Sequence, residues 1–302
     1  MRILISGSHG LVGSALIELL TRNGHEIVRL VRHEPKSGAA EVLWNPEKGT
    51  IDKERLEGFE AVVHLAGENI AEGRWTSEKK RAILESRVKG TTLLSETLAT
   101  LKTPPAVLLS ATAIGYYGNR GDELLTETSA PGNDFLAHVC QQWENATKPA
   151  SEKGIRTVLS RFGIILDANG GALAKMLTPF QMGVGGRIGN GKQWMSWIAL
   201  DDVAGAIQFM LRDRFVNGPV NFVAPHPVTN AEFTKTLGSV LSRPTFIPVP
   251  AFGVRLAFGE MADALLLSSQ RVVPEVLQAR GFAFAWPRLE LTLKHLLHRE
   301  YV

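Results

Sequence analysis

The chain has 302 residues, 33 lysines and arginines against 30 aspartates and glutamates, and a formal net charge of +3. That length can bury a large core in one large or two medium domains, and its interspersed charges leave no basic stripe for nucleic acid. The single cysteine, Cys140, excludes an intrachain disulfide; with no bilayer-length apolar run and no visible signal peptide, a cytoplasmic protein without a membrane partner is expected.

Ile3-Leu4-Ile5 has the branching of a buried strand, and Val12, Ala15, Leu16, Leu19 and Leu20 then fall at helical spacing, closed by Asn23-Gly24 as a left-handed C-cap. Between them lies Gly7-Ser8-His9-Gly10-Leu11-Val12-Gly13. A glycine turn there sets a bare helix N-terminus, with free N–H groups and the positive dipole end, where an anionic pyrophosphate can bind. All seven residues are therefore expected to cradle a dinucleotide, the alternative being a glycine turn with no ligand. The spacing is G-x-x-G-x-x-G rather than G-x-G-x-x-G. That form, directly after a first strand, resembles the extended branch of the short-chain dehydrogenase/reductase family.

A second strand is predicted over 26–32, and its end selects the dinucleotide. A carboxylate there would bond a ribose 2′-hydroxyl, whereas an arginine accommodates a 2′-phosphate. The chain reads Arg29-Leu30-Val31-Arg32-His33, with no acid before Glu34. A guanidinium can hold a phosphate through two hydrogen bonds, so NADP is favoured over NAD, with His9 as a further donor. Arg29 and Arg32 as mere decoration of a solvent-facing strand end is the competing reading.

Further strands are predicted at 42–44, 61–65, 106–109, 155–159 and 220–223, with helices over 78–101 and 133–153 and another from Asp202. Alternating strand and helix implies an α/β protein: a Rossmann-type, doubly wound parallel sheet with a smaller C-terminal substrate lobe. The nucleotide-binding domain is expected over 1–166 plus about 201–224, and the lobe over about 167–200 plus 225–302. Ligands in such sheets bind outside the carboxyl ends of the strands. Leu65, Ala66 and Gly67 would let backbone lie close to the cofactor, and Glu68 would orient a hydroxyl or make a turn hydrogen bond. Asp201 or Asp202 reads as a helix N-cap.

Several segments sharpen the resemblance. Arg87-Val88-Lys89-Gly90-Thr91-Thr92-Leu93-Leu94 resembles the N-V-x-G-T-x-x-L-L helix of extended members, and 197–202 resembles their W-I-H-V-D-D stretch. Ala66-Gly67-Glu68-Asn69-Ile70, Gly115-Tyr116-Tyr117-Gly118, Trp143-Glu144 and Gln270-Arg271-Val272-Val273-Pro274 are similar to an atypical subgroup, the epimerase-family or sugar-nucleotide-epimerase-like proteins, with a C-terminal domain of unknown function. The resemblance covers essentially the whole chain. It implies NADP contacts from Val31, Arg32, Leu65, Ala66, Arg87 and Ile165.

The wider family's catalytic tyrosine and lysine, four apart on a helix, are absent. The tyrosines are Tyr116, Tyr117 and Tyr301, and the matching helix places Leu136 and Cys140 at the two positions. Thr112 falls near the family's catalytic hydroxyl and can bond a carbonyl oxygen; Tyr116 or Tyr117 can donate a proton, or simply pack. His138 and Cys140 read as surface and buried side chains. Gly186-Arg187-Ile188-Gly189-Asn190-Gly191-Lys192 copies P-loop spacing, but Gln193 replaces the metal-binding hydroxyl. A mobile flap is the expectation instead, with Lys192, Gln193 and Trp194 touching substrate. No metal ligand set is apparent. Two functions stay open: an NADP-dependent oxidoreductase or epimerase acting on a small hydroxylated, keto or sugar-nucleotide-like substrate, or a non-catalytic NADP(H) sensor. The molecule would be a monomer or homodimer.

Overall fold

The computed structural model describes residues 1–298; Tyr301 lies outside the described residues. The chain begins with β1 (Arg2–Ser6), α1 (Leu11–Arg22), β2 (Glu26–Val31), β3 (Glu41–Asn45), β4 (Thr50–Ile51), β5 (Ala61–His64) and α2 (Ser77–Ala99). β6 (Val107–Ala113), β7 (Leu124–Leu125), α3 (Phe135–Asn145), α4 (Lys148–Glu152) and β8 (Arg156–Phe162) follow. The helix expected over 133–153 is therefore two, with Pro149 in the first turn of the second.

Eight strands form the main sheet in the order β12-β8-β6-β5-β1-β2-β3-β4, where β12 is Gly218–Phe222. Neighbours run parallel except the edge pair of β3 and β4. Successive side chains of a strand point to opposite faces, so Ile3 and Ile5 join one core with Leu16, Leu20, Ile207 and Met210. Leu4 joins the other with Val28, Val62, Leu94 and Leu98. Both faces are covered, and the strand order reverses beside β1, which sets a crevice at the carboxyl ends of β1 and β5.

Beyond β8 come β9 (Ile164–Leu166), α5 (Gly171–Gln181), β10 (Trp194–Met195), β11 (Trp197–Ala199) and α6 (Leu200–Arg212), and after β12 come β13 (Val228–Thr229) and α7 (Asn230–Leu241). The tail holds α8 (Ala251–Phe258), a π-turn at Ala262–Leu266, β14 (Arg271–Val272), α9 (Glu275–Ala279) and α10 (Leu289–Leu296). A third core gathers Leu173, Phe180, Trp197, Phe233, Leu237, Leu293 and Leu296. The tail does not stay within it. Val276, Leu277, Phe282 and Phe284 pack on the main-sheet core, and β14 pairs with β7, so part of 225–302 returns to the main sheet.

The expected N-cap at Asp201 or Asp202 gives way to Ala199, the residue before α6. Asp202 is buried and accepts backbone N–H bonds from Ala285 at 2.8 Å and Trp286 at 2.9 Å, while Asp201 bonds His295 at 2.9 Å. Tertiary partners took both carboxylates. Among the described residues no helix is long and apolar enough to cross a membrane.

Candidate functional site

The glycine turn is built by close approach. Gly7 has φ of 67°, and a Cβ there would stand 2.7 Å from the carbonyl carbon of Leu65 and 2.9 Å from the amide of Ala66. A Cβ on Gly13 would stand 2.3 Å from the Gly7 carbonyl oxygen. The Gly10 amide donates to that same oxygen at 3.0 Å, which tightens the turn. α1 then starts with no side-chain cap and no acid in its first turn, so the amides around Leu11 and Val12 face the crevice without an anion of their own. Leu11 packs its side chain on Gly170 and Gly171 beside the Ile165 carbonyl, which ties the helix start to β9.

Beneath the turn lies a buried polar chain that the sequence did not announce. Ser6 Oγ accepts the amides of Leu65 at 3.1 Å and Ala66 at 3.3 Å, and stands 2.6 Å from Nδ1 of His64. With its lone pairs engaged by two N–H groups, Ser6 donates its proton to Nδ1. The Nε2–H of His64 then donates to Thr91 Oγ1 at 3.0 Å. Burial holds this imidazole neutral, with its pKa lowered to about 4.

At the end of β2, Val31 is buried and Arg32 is exposed. Arg29 reaches across to His9, donating to Nε2 at 3.4 Å, and the rings of His9 and His33 lie 6.1 Å apart. Four basic or imidazole side chains thus surround the rim of the crevice, and the acid beside them, Glu41, accepts the Lys36 amide at 3.2 Å and lies 3.6 Å from Nε2 of His33. On the opposite rim the Arg87 guanidinium sits 4.8 Å over the Trp143 ring, and a Cβ on Gly67 would touch it at 3.4 Å. Among the described residues its hydrogen bond goes to the Ile83 carbonyl on its own helix. Desolvation lowers its pKa, partly offset by Cys140 and Glu68.

Glu68 makes a turn contact: Lys79 Nζ donates to its Oε1 at 2.7 Å, and its amide donates to Ser86. Thr112 is buried at the end of β6 and donates to Glu144 at 3.3 Å. Glu144 is clamped by Arg161, whose Nε and Nη2 reach its two oxygens at 2.8 and 2.9 Å. Desolvation opposes the Arg161 charge, but Glu144 overrides it and holds the guanidinium above its ordinary pKa.

Tyr117 is engaged by structural partners. It is fully buried, its hydroxyl donates to Asn221 at 2.7 Å and accepts from Arg161 at 3.0 Å, and burial pushes its pKa up to about 12. Tyr116 differs. It is half-buried, with its ring 3.5 Å above the Arg161 guanidinium and edge-on to Tyr117. Leu136 and Cys140 back onto Gly115, where a Cβ would stand 3.3 Å and 3.7 Å from them. An apolar branch and a buried thiol thus fill this wall; His138 is exposed.

The 186–194 segment is fastened rather than a loose flap. The Ile188 amide donates to Asn230 at 2.7 Å, and Gly189 and Val249 join it to the chain before α8. Gln193 is buried and donates to the carbonyls of Ile188 and Leu266, so it holds the loop instead of facing substrate. Trp194 donates through Nε1 to Asp122 at 2.8 Å under the Arg271 guanidinium, and Lys192 is exposed. No cluster of metal-ligating side chains occurs among the described residues.

Residues 3–222 match the model of the NAD dependent epimerase/dehydratase family. The chain belongs to that family. Residues 249–296 match a domain of unknown function, DUF1731, that follows it. An epimerase family protein of Mycobacterium bovis is 44% identical over 282 residues, covering 93% of each chain. The human epimerase family protein SDR39U1, solved with NADPH, superposes with a TM-score of 0.92 at 34% identity over 99% of this chain and 100% of that one. A nucleoside-diphosphate sugar epimerase from Corynebacterium glutamicum gives a TM-score of 0.82 at 38% identity, and this chain spans 59% of its length. In this chain the glycine turn opens onto the β1–β5 crevice, and Leu136 and Cys140 fill the wall where the sequence analysis looks for a tyrosine and lysine pair.

Proposed function

We propose that the protein binds NADP(H) in the crevice at the ends of β1, β2 and β5 and acts as an oxidoreductase or epimerase on a small hydroxylated or keto substrate. The observation that carries the reading is the turn in which neither Gly7 nor Gly13 has room for a Cβ, ahead of an uncapped helix start. The amides from Gly7 to Gly13 would hold the pyrophosphate, Arg32 the 2′-phosphate, and Val31, Leu65, Ala66, Gly67, Arg87 and Ile165 the remainder. That the human relative is solved with NADPH supports the choice of dinucleotide.

Bound nicotinamide would supply hydride exchange; the chain supplies orientation and a proton. Thr112 lies at the strand end where a carbonyl oxygen would be met; its one hydroxyl proton goes to Glu144, itself fixed by Arg161, and would have to turn from that carboxylate to reach a carbonyl. Among the described residues Tyr116 is the tyrosine not fully buried, so it is the proton donor in this reading. Cytoplasmic residence suits the single buried thiol.

A second reading is favoured by one feature. Leu136 and Cys140 at the acid–base wall carry no proton shuttle, which suits a cofactor-sensing module. Titrating wild type and Arg32→Ala with NADPH and NADH tests the shared premise. Arg32→Ala should weaken NADPH roughly tenfold and leave NADH within about twofold; equal loss for both defeats the 2′-phosphate assignment. Turnover of any member of a carbonyl and nucleotide-sugar panel by the NADPH-bound protein then separates enzyme from sensor.

A further inference from the structure

Six buried side-chain polar atoms have no hydrogen-bond partner among the described residues, and one of them belongs to a permanent cation: Nε of Arg271. Among the described residues, every other arginine that is not solvent-exposed donates to a carboxylate, a carbonyl or an imidazole. Arg271 has no such partner and no ion pair there. Its Nη1 and Nη2 are neither bonded nor sealed, so they stay open to solvent. What the side chain has instead is a plate, the Trp194 ring, whose centre lies 4.4 Å from the guanidinium carbon.

Local structure explains the placement. Side chains alternate along β14, so Val272 enters the core with Tyr117 and Leu125 while Arg271 points to the opposite face. Gln270, on the Val272 side, donates to the carbonyls of Ile114 and Gly118 at 3.1 and 3.2 Å, which bracket Tyr116, and its amide donates to the Trp194 carbonyl at 3.2 Å. Arg271 pairs in register with Leu124, beside Asp122 and Glu123. Both acids are already engaged. Asp122 accepts Trp194 Nε1 at 2.8 Å, and Glu123 accepts Arg120 through its two oxygens at 2.8 and 2.6 Å.

We infer that Arg271, on its Trp194 plate, is the receptor for a small oxyanion, a carboxylate or phosphate group, at the seam between β14, β10 and the loop after β6. The two Nη nitrogens of a guanidinium form a fork that matches two oxygens of such a group. The indole beneath and the sealed Nε hold that fork in place beforehand, so little rotamer freedom is lost when the anion arrives. Stacking on the ring attracts the cation without neutralising it. The anion would sit one residue along β14 from Gln270, on the same strand that fastens the Tyr116 turn.

The test uses the full chain at low ionic strength, with and without NADPH, and two probes: malonate for a carboxylate and inorganic phosphate for a phosphate group. Tryptophan fluorescence reports binding, and Trp194→Phe should remove the signal. Wild type should bind at least one probe with a dissociation constant on the order of 1 mM, the tighter probe naming the ligand's chemistry. Arg271→Gln should weaken that probe about tenfold, and Arg271→Lys, which keeps the charge but not the fork, about threefold. Arg243→Gln, at an exposed arginine of the same lobe, should stay within about twofold. Circular dichroism checks each fold, and Arg271→Lys carries the test if Arg271→Gln unfolds. Phosphate held by the glycine turn instead would persist in Arg271→Gln and vanish on saturation with NADPH. Equal affinity in wild type and both Arg271 variants, or no binding of either probe, overturns the inference and leaves Arg271 a staple between β14 and β10. Failure of NADPH to bind bears on the cofactor reading alone.

Discussion

Ser6 and His64, 58 residues apart, share a 2.6 Å hydrogen bond at the ends of two adjacent parallel strands, where the register sets them side by side. Through Ser6 the same contact fixes the amides of Leu65 and Ala66, against which Gly7 is pressed. A neutral, buried imidazole thus fastens the floor of the glycine turn.

Stability should therefore drop in mild acid. The folded pKa of His64, about 4, lies below the ordinary 6.5, so the unfolded chain binds a proton that the folded chain refuses. The contribution of the neutral ring is intact above pH 6.5 and is lost as pH falls from 6.5 towards 4, on the order of 3 kcal/mol in full. Urea midpoints at pH 7.5 and 5 should show the loss, and His64→Gln should flatten it at the cost of lower stability throughout. Equal midpoints at the two pH values in wild type would rule out a buried neutral ring.

Gly13→Ala tests the turn. Its methyl group would stand 2.3 Å from the Gly7 carbonyl oxygen, backbone that cannot retreat without moving the β1–α1 junction. A loss of about 2 kcal/mol in stability is expected, with NADPH binding abolished even below the melting point. Normal binding by Gly13→Ala would show that the turn has slack.

The two adjacent tyrosines should separate by phenotype. Tyr117→Phe leaves Asn221 and Arg161 short of a buried partner and should cost about 1–3 kcal/mol with NADPH affinity unchanged. Tyr116→Phe, whose hydroxyl makes no hydrogen bond among the described residues, should leave stability within about 0.5 kcal/mol and reduce turnover of any substrate found. The reverse pattern would exchange their roles.

Breaking the Glu144–Arg161 pair should be severe. Arg161 is buried and Glu144 mostly so, and Arg161→Met would strand a carboxylate beside Thr112 at a cost of about 3–5 kcal/mol. Arg161→Met/Glu144→Leu should recover much of that loss, read by thermal melting. Similar melting of the single and double variants would mean the pair is uncoupled.

Cys140 should be inert in the native protein. Burial, with Glu144 nearby, pushes its thiol up to about 12, so a thiol reagent at pH 8 should label it only after unfolding. Fast native labelling would expose an opening of the α3 wall.

The amino-acid order by itself determined seven of the main sheet's eight strands (not the two-residue edge strand β4), the glycine turn and the basic end of β2, because each is written in neighbouring residues: branched runs, helical spacing, a glycine where the backbone turns left-handed. Even there, local rules failed at Asp202, whose carboxylate was drawn to backbone 83 residues away. What only tertiary structure decided is which side chains meet. Thr112 faces Arg161 through the β6–β8 register, Tyr117 reaches Asn221 across 104 residues, and Gln193 is turned inward by the π-turn. Partners so distant are chosen by packing and desolvation, since a buried polar group must find whatever donor or acceptor the fold brings to it.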